Sequence, residues 1–151
     1  MAEMWKPSVT VAAVIERDGR FLLVEEEEPG GRRVYNQPAG HWEPDETLVE
    51  ACAREALEET TWHCAPRHLV GIYRWHYAPA DNTFLRFTFA CEALEEDKSR
   101  RLDKEILRTL WLTVDEIRAL TPSHRSPLVM LSVDDFLAGR RWPLEVITHV
   151  D

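Results

Sequence analysis

The chain has 151 residues, of which 44% are hydrophobic and 30% charged, a composition that excludes intrinsic disorder and predicts one domain spanning 1–151. Acidic residues outnumber basic ones by 27 to 18, and the net charge of -9 argues against nucleic acid as the main partner. No leader opens the chain, no apolar run approaches the ~18 residues of a membrane span, and three cysteines form no CxxC pair. We therefore expect a cytoplasmic protein with reduced thiols and no membrane partner.

Two short apolar runs predict a β-hairpin at the start of the chain. Residues 9–15 are rich in β-branched side chains, and residues 21–24 return across the Asp18-Gly19 turn. The acidic run 25–28 that follows is typical of a solvated strand end, although four consecutive glutamates could also bind a metal. Residues 29–33 (PGGRR) have the composition of a loop.

The rest of the chain alternates between predicted helices and strands. A helix is predicted over 46–60, where small residues recur along one side and Gly and Pro are absent. The following elements come in order: strands over 68–77 and 84–90, a solvated connection over 95–105, a strand within 106–112, and helices that begin at a capping box near 113 and at Ser126-Pro127. This order predicts an α+β domain with a mixed β-sheet between helices.

The predicted helix carries three glutamates on one side. At about 100° per residue, Glu55, Glu58 and Glu59 fall within an arc of roughly 100°. Like charges at this spacing destabilise a helix, so a face that serves only solubility gains nothing from the crowding. Clustered carboxylates on a rigid helix are what hard divalent cations require, and Mg²⁺ also binds phosphate oxygens. The pattern favours a metal and phosphate site over the alternative, a solvated acidic face.

The residues around this helix resemble a known motif. Gly40, Glu46 and the run 54–62 (REALEETTW) have the spacing of the Nudix box, here 40–62, of the Nudix hydrolase superfamily. Further segments are similar to the NudJ-type phosphatases of that family: 7–12, 36–41, 45–51, 84–87, 125–129 and 143–145. The resemblance implies the Nudix αβα sandwich. Thr61 departs from the pattern, because a glycine usually closes the helix there in a left-handed conformation that threonine adopts poorly.

The resemblance also implies a chemistry and a set of site residues. Nudix enzymes cleave phosphoanhydride bonds by water attack at phosphorus, with Mg²⁺ as the cofactor and Mn²⁺ as a possible substitute. The implied metal ligands are Glu55, Glu58, Glu59 and the backbone near Ala39 and Gly40, and the implied catalytic residues are Arg54, Glu55, Glu58 and Glu105. Arg54 would hold the glutamates in position. Glu105, with Asp103 behind it, is the candidate acid from outside the box, and a solvated loop charge is the alternative for Glu105. The general base stays open between the box glutamates and Glu105.

Substrate contacts are expected from residues near the box. The candidates are Arg32, Arg33, Tyr35, Gln37, Trp42 and Arg86. The arginines could pair with phosphate oxygens, and the aromatic side chains could stack on a ring. Tyr35 and Trp42 are placed in loops, whereas Trp75 and Phe84 lie in predicted strands and are interpreted as core packing.

The branch that the chain resembles narrows the expected substrates. Its members act on nucleoside di- and triphosphates, thiamine pyrophosphate and the hydroxymethylpyrimidine pyrophosphate precursor of thiamine. Two alternatives stay open: a pyrophosphatase of ADP-ribose or dinucleoside polyphosphates, and a nucleotide-binding module that does not cleave its ligand. The sequence leaves the choice between monomer and homodimer open.

Overall fold

The computed structural model describes residues 2–151, in which a mixed β-sheet lies between helices, as predicted for an α+β fold. The strands are β1 (Ser8–Arg17), β2 (Arg20–Glu27), β3 (Arg33–Asn36), β4 (Ala39–His41), β5 (Trp62–Tyr77), β6 (Asn82–Glu96) and β7 (Ile106–Thr113). The helices are α1 (Leu48–Thr60), α2 (Val114–Ala119) and α3 (Leu128–Leu137). Within the described residues, no helix combines the length and the apolar character that crossing a membrane requires.

Strand β1 takes part in both halves of the sheet. It pairs in parallel with β6 and antiparallel with β4, and β5 extends this half beyond β6. At its far end β1 turns into β2, which pairs with β3 and β7 to form the second half. The two halves therefore meet at β1, and residues from both line a common cavity.

Two apolar clusters pack on opposite faces of the sheet. Val11, Ala13 and Ile15 of β1 belong to the cluster that packs against α1. Val14, which points to the other face, joins the cluster that contains residues of α2 and α3. Because both faces of β1 are covered, its sequence is a continuous apolar run rather than an alternating one.

Helix α1 begins and ends with defined caps. Thr47 is the N-cap, and it forms a capping box with Glu50 through hydrogen bonds of 2.8 and 3.0 Å. The helix therefore begins two residues later than predicted. At its other end Thr61 has a left-handed backbone (φ 66°, ψ 8°), and its N–H donates to the carbonyl of Leu57 at 2.9 Å. Thr61 thus takes the conformation that glycine usually takes at this position.

The acidic run after the first hairpin differs from the sequence prediction. Glu25 and Glu26 lie within β2 and are 2% and 4% exposed, so they are not a solvated strand end. Glu25 pairs with Arg108 and Glu26 pairs with Arg125. These partners are 83 and 99 residues away in the chain, which is why the run looks solvated in the sequence.

Strands β5 and β6 are longer than predicted and take up part of the connection placed at 95–105. They pair from Trp62–Glu96 to Tyr77–Asn82 with three register irregularities. Such bulges interrupt the alternation of apolar and polar residues, so the pattern shows only the regular half of each strand. The capping box predicted at Thr113 is confirmed. Helix α3 begins one residue later than predicted, at Leu128 with Pro127 as its N-cap, although Ser126 accepts a hydrogen bond from the N–H of Leu128 at 3.1 Å.

Candidate active site

A cavity of about 540 Å³ lies between the two halves of the sheet. Its walls come from strands β1 to β6, from α1, from the start of α3, and from the segments that precede β7 and α3. This volume is typical of sites for small organic molecules. One end of the cavity is acidic, and the other is aromatic and cationic.

The acidic end is centred on Glu59, in the last turn of α1. Glu59 is 5% exposed and accepts a hydrogen bond of 2.9 Å from the N–H of Ala39. One carboxylate oxygen each of Glu59, Asp103 and Glu105 lies within 4.8 Å of the others. The pKa of Glu59 is raised to about 9, mainly by burial and also by the nearby carboxylates of Glu26, Glu55 and Asp103, although the bond from Ala39 lowers it.

Arg54 holds the other two glutamates of the helix. Its guanidinium donates to Glu55 at 2.9 Å and to Glu58 at 3.3 Å. Glu46 holds the same guanidinium through two hydrogen bonds of 2.9 and 2.8 Å, and the carbonyl of His41 accepts another at 3.1 Å. Even with this partner the pKa of Glu55 rises to about 7, mainly because the carboxyl group is buried. The arginine therefore compensates only part of the acidic charge.

The backbone of β4 contacts the same glutamates. A β-carbon at Gly40 would lie 2.1 Å from the carboxyl carbon of Glu55, so any side chain there would displace that carboxylate. The amide of Ala39 already donates to Glu59. The close approach of strand and helix explains why the box begins with a glycine.

The chemistry of this end fits a hard divalent cation. Its donor atoms are carboxylate oxygens, the ligands that Mg²⁺ and Mn²⁺ prefer. The pKa of Asp103 is raised by burial and by repulsion from Glu58 and Glu105. A bound cation would offset this repulsion and favour the ionised form of each carboxyl group.

The opposite end is formed by β5 and β6. Trp75 and Phe84 are cross-strand neighbours with stacked rings, whose centroids are 5.6 Å apart at an interplanar angle of 21°. Both rings are half-buried and line the cavity, which corrects their interpretation as core packing. Arg86, two residues along the same face, is 4% exposed and donates to Oε1 of Gln37 at 3.0 Å. Burial lowers the pKa of Arg86 to about 10, which leaves it charged at neutral pH.

Gln37 is buried, and it contacts Arg86 from the side away from the cavity. Its side-chain amide donates to the carbonyl of Val129 at 2.8 Å while its oxygen accepts from Arg86. Gln37 therefore orients Arg86 and does not line the cavity.

The other predicted substrate contacts lie outside the cavity lining. Arg32 donates to the carbonyl of Pro122 at 3.0 Å, and Arg33 pairs with Glu25 at 3.8 Å. Arg32 thus connects the segment between β2 and β3 to the segment between α2 and α3, and Arg33 links β3 to β2.

The two predicted loop aromatics are placed differently. Tyr35 lies in β3, not in a loop, because residues 33–36 pair with the end of β2. Trp42 follows β4 in a loop, as predicted, and its indole N–H donates to the carbonyl of Glu46 at 2.8 Å. Neither side chain lines the cavity.

One pair of cavity residues was not predicted from the sequence. Glu26 and Arg125 pair with each other and line the cavity next to Ser126. Their separation in the chain hides the pairing, and the only signal was the acidic run itself.

A mixed sheet between helices, with a glutamate-rich helix that faces a cavity, is the arrangement expected of a Nudix hydrolase. The sequence profile of the NUDIX domain matches residues 4–131, and the chain belongs to this family. It is therefore an enzyme that hydrolyses phosphoanhydrides. Nudix hydrolases generally use a divalent metal, and the acidic cluster is the matching feature of this chain.

Known relatives cover almost the whole chain. Phosphatase NudJ of Escherichia coli strain K12 is 44% identical over 144 residues, which are 95% of this chain and 92% of that protein. The structure of a Nudix hydrolase from Nitrosomonas europaea is 49% identical with a TM-score of 0.94, and covers 96% of this chain and 98% of that one. A second Nudix hydrolase structure from the same organism, with 24% identity, a TM-score of 0.75 and coverage of 91% and 74%, supports the fold alone.

Proposed function

We propose that this protein is a single-domain, Mg²⁺-dependent phosphatase that cleaves the phosphoanhydride bonds of small pyrophosphate compounds, and that Mn²⁺ can replace Mg²⁺. The proposed substrates are nucleoside di- and triphosphates, thiamine pyrophosphate and its hydroxymethylpyrimidine pyrophosphate precursor. The observation that carries the proposal is the convergence of Glu59, Asp103 and Glu105 within 4.8 Å in a cavity that Glu55 and Glu58 also line. The 44% identity to a protein named phosphatase NudJ supports the release of phosphate.

In this proposal the residues of the acidic end divide the work. Glu55, Glu58 and Glu59 hold the cation, and Arg54 restrains the first two through the bonds described above. A divalent ion bound there would lower the pKa of a water ligand and neutralise charge on the phosphate oxygens. Asp103 and Glu105 come from a different segment and complete the acidic wall opposite the helix.

The hydrolytic step then needs a general base for the attacking water and a cationic group that binds a phosphate oxygen. A carboxylate of this wall takes a proton from the attacking water while the oxygen of that water bonds to phosphorus. Glu105 is our candidate for this carboxylate. The anhydride bond breaks, and the leaving oxygen keeps the electron pair. Arg86, oriented by Gln37, would donate to a phosphate oxygen and so position the substrate.

Phosphate release with and without divalent metal tests the proposal. Metal-stripped protein should release phosphate from CTP or thiamine pyrophosphate only after Mg²⁺ or Mn²⁺ is added. Full activity in excess EDTA would refute the metal requirement. Cleavage of ADP-ribose or diadenosine tetraphosphate, with no phosphate released from the first two compounds, would replace the proposed substrate class.

A further inference from the structure

Two neighbouring glutamates of β2 form similar ion pairs in different surroundings. Glu25 pairs with Arg108 of β7, and Glu26 pairs with Arg125 in the segment before α3. Both carboxylates are almost fully buried, and the arginine side chains are exposed to similar extents, 59% for Arg108 and 52% for Arg125. Glu26 and Arg125 line the cavity, whereas Glu25 and Arg108 do not. Both arginines neutralise a buried carboxylate, and Arg125 in addition presents its charge to the cavity.

Arg125 has hydrogen-bonding capacity that the protein does not use. A guanidinium group carries five N–H donors. Within residues 2–151, the side chain of Arg125 donates through Nη1 to Glu26 and to no other residue. Arg54, at the acidic end of the cavity, makes five hydrogen bonds, all of them to protein oxygen atoms. Arg54 therefore has no donor left for a ligand, whereas Arg125 has both donors and charge available on its exposed side.

The backbone that carries Arg125 is held on both sides. His124 is buried, and its Nε2 lies 2.8 Å from a backbone carbonyl oxygen of α2. The N–H of Arg125 donates to the carbonyl of Tyr35 in β3 at 2.9 Å. On the other side, the hydroxyl of Ser126 accepts from the N–H of Leu128 at 3.1 Å. The guanidinium therefore reaches the cavity from a fixed position, so less conformational freedom is lost when a ligand binds it.

A second arginine, Arg86 of β6, lines the same cavity. It is 4% exposed, its Nε has no hydrogen-bond partner among residues 2–151, and no ion pair of that part of the chain includes it. The pKa of Arg86 is lowered mainly by burial and also by the positive charge of Arg125, so the two cations are close enough to repel each other. A buried cation without a counter-ion is costly. One anionic group between Arg86 and Arg125 would compensate both charges.

From this arrangement we propose that Arg125 is a second phosphate-binding residue, which together with Arg86 contacts the pyrophosphate group of the substrate from two walls of the cavity. The inference rests on the proposed function and adds a residue that determines its affinity for linked phosphates. Arg125 would keep one N–H on Glu26 and donate others to phosphate oxygens, whose geometry a guanidinium group matches. Glu26 is then a positioning residue, because it fixes the guanidinium without contacting the substrate.

Binding of a pyrophosphate analogue without turnover tests this role. Methylenediphosphonate, in which a CH₂ group replaces the bridging oxygen, cannot be hydrolysed at that bond. With Mg²⁺ present, its Kd measured by calorimetry should rise about tenfold or more in Arg125→Gln, because charge-assisted hydrogen bonds are lost. Arg125→Lys keeps the charge without the paired donors and should give an intermediate Kd. Equal Kd values in wild type and Arg125→Gln, or no binding to wild type, would overturn the proposal.

The neighbouring ion pair supplies a matched control. Arg108→Gln removes the arginine from an equally buried glutamate of the same strand, outside the cavity. This variant should bind methylenediphosphonate as tightly as wild type, even if its melting temperature falls. An equal rise of Kd in Arg108→Gln and Arg125→Gln would show that the loss comes from disturbing β2, and it would contradict phosphate binding by Arg125.

A change at Glu26 separates phosphate binding from neutralisation of a buried charge. Arg125→Gln leaves Glu26 without its ion-pair partner, which by itself destabilises the fold. In a Glu26→Gln background no charge is left unpaired, and the glutamine oxygen can still accept a hydrogen bond from Arg125. Adding Arg125→Gln to that background should again raise the Kd for methylenediphosphonate about tenfold. If the second substitution has no effect there, Arg125 serves only to neutralise Glu26 and the proposal is wrong.

The two proposals fail in different ways. If no compound releases phosphate with metal but the Kd for methylenediphosphonate depends on Arg125, the proposed function is wrong and the role of Arg125 stands. If CTP is hydrolysed and neither this Kd nor the KM for CTP changes in Arg125→Gln, the role of Arg125 is wrong and the proposed function stands.

Discussion

The two ends of the cavity affect the stability of the fold in opposite ways. At the acidic end, burial raises the pKa of Glu59 to about 9 and that of Glu55 to about 7, so ionising these groups in the folded protein is unfavourable. At the aromatic end, the stacked rings of Trp75 and Phe84 stabilise the fold by about 0.5–1.5 kcal/mol beyond their buried area. Substitutions at the acidic end should therefore cost activity and spare stability, whereas substitutions at the aromatic end should weaken both substrate binding and stability.

Glu59→Gln should have the largest effect on activity. A small effect would contradict the expected difference between the acidic and the aromatic end. We expect kcat to fall by more than about a hundredfold, because a lost metal ligand should cost more than the 10–100-fold typical of a residue that only orients one. The metal-stripped variant should be as stable as wild type, or more stable by a few tenths of a kcal/mol, because burial already keeps most of Glu59 uncharged near pH 7 and glutamine removes only the repulsion of the small ionised fraction. Melting curves with and without Mg²⁺, measured beside phosphate release, check both statements.

Phe84→Leu is the control from the other end of the cavity. It should lower the melting temperature and leave the Mg²⁺-dependent rise in melting temperature intact, since that rise reports metal binding to the folded state. A Glu59→Gln protein with normal turnover and an undiminished Mg²⁺ shift would remove Glu59 from the metal site.

Glu105→Gln tests which residue of the acidic end is the general base. A general base acts mainly in the transition state, so kcat should fall by about 10²-fold or more while KM changes little. Asp103→Asn, in the same segment, is the matched variant: if Asp103 is the base instead, it should show the larger loss. Steady-state kinetics on both variants decide between the two acids, and an unchanged kcat in Glu105→Gln would reduce Glu105 to a loop charge.

The stability of the metal-stripped protein should depend on pH through the acidic end. Because the folded-state pKa values of Glu55 and Glu59 lie above 4.5, their value without burial, the folded state binds more protons than the unfolded state in the window up to about 9. Stability from these groups is therefore greatest below that window and falls as pH rises through it. In EDTA the melting temperature should drop by about 10 °C between about pH 6 and pH 9.

Two controls isolate this effect from other titrating groups. Saturating Mg²⁺ should flatten the pH dependence, because metal ligation favours the ionised carboxylates. Glu59→Gln should flatten it in EDTA as well. A wild-type curve as steep as that of the variant would show that Glu59 does not titrate in this window.

The sequence predicted the acidic end better than the aromatic end for a physical reason. Three glutamates on one helix line the same cavity because of the helical period, and the capping box of Thr47 and Glu50 is equally local. Such features depend on residues a few positions apart. The close contact between Gly40 and Glu55 joins two adjacent elements, and the family resemblance had placed both residues in the box without predicting the contact.

The aromatic end depends on long-range pairing that no short pattern contains. Trp75 and Phe84 meet only through the register of β5 and β6, which three irregularities shift. Likewise the burial of Glu25 and Glu26 depends on arginines from β7 and the segment before α3. Tyr35 was assigned to a loop because its strand is only four residues long.

The smallest expected effect is that of Thr61→Gly. This substitution tests backbone strain at the end of α1 separately from charge repulsion within the helix. A β-branched residue in the left-handed region costs about 1–2 kcal/mol, and Thr61→Gly would remove this strain. The greater freedom of glycine in the unfolded chain and the loss of the buried threonine side chain offset part of the gain. We expect a net rise in melting temperature of about 2–4 °C or less. Unlike the gain from Glu59→Gln, this rise should be the same with EDTA, with Mg²⁺ and across the pH range, because no charge changes.

Thr60→Gly, one position earlier in regular helix, is the matched control and should lower the melting temperature, since glycine inside a helix costs about 0.5–1 kcal/mol. A lower melting temperature in Thr61→Gly would mean that the side-chain contacts of Thr61 outweigh its backbone strain.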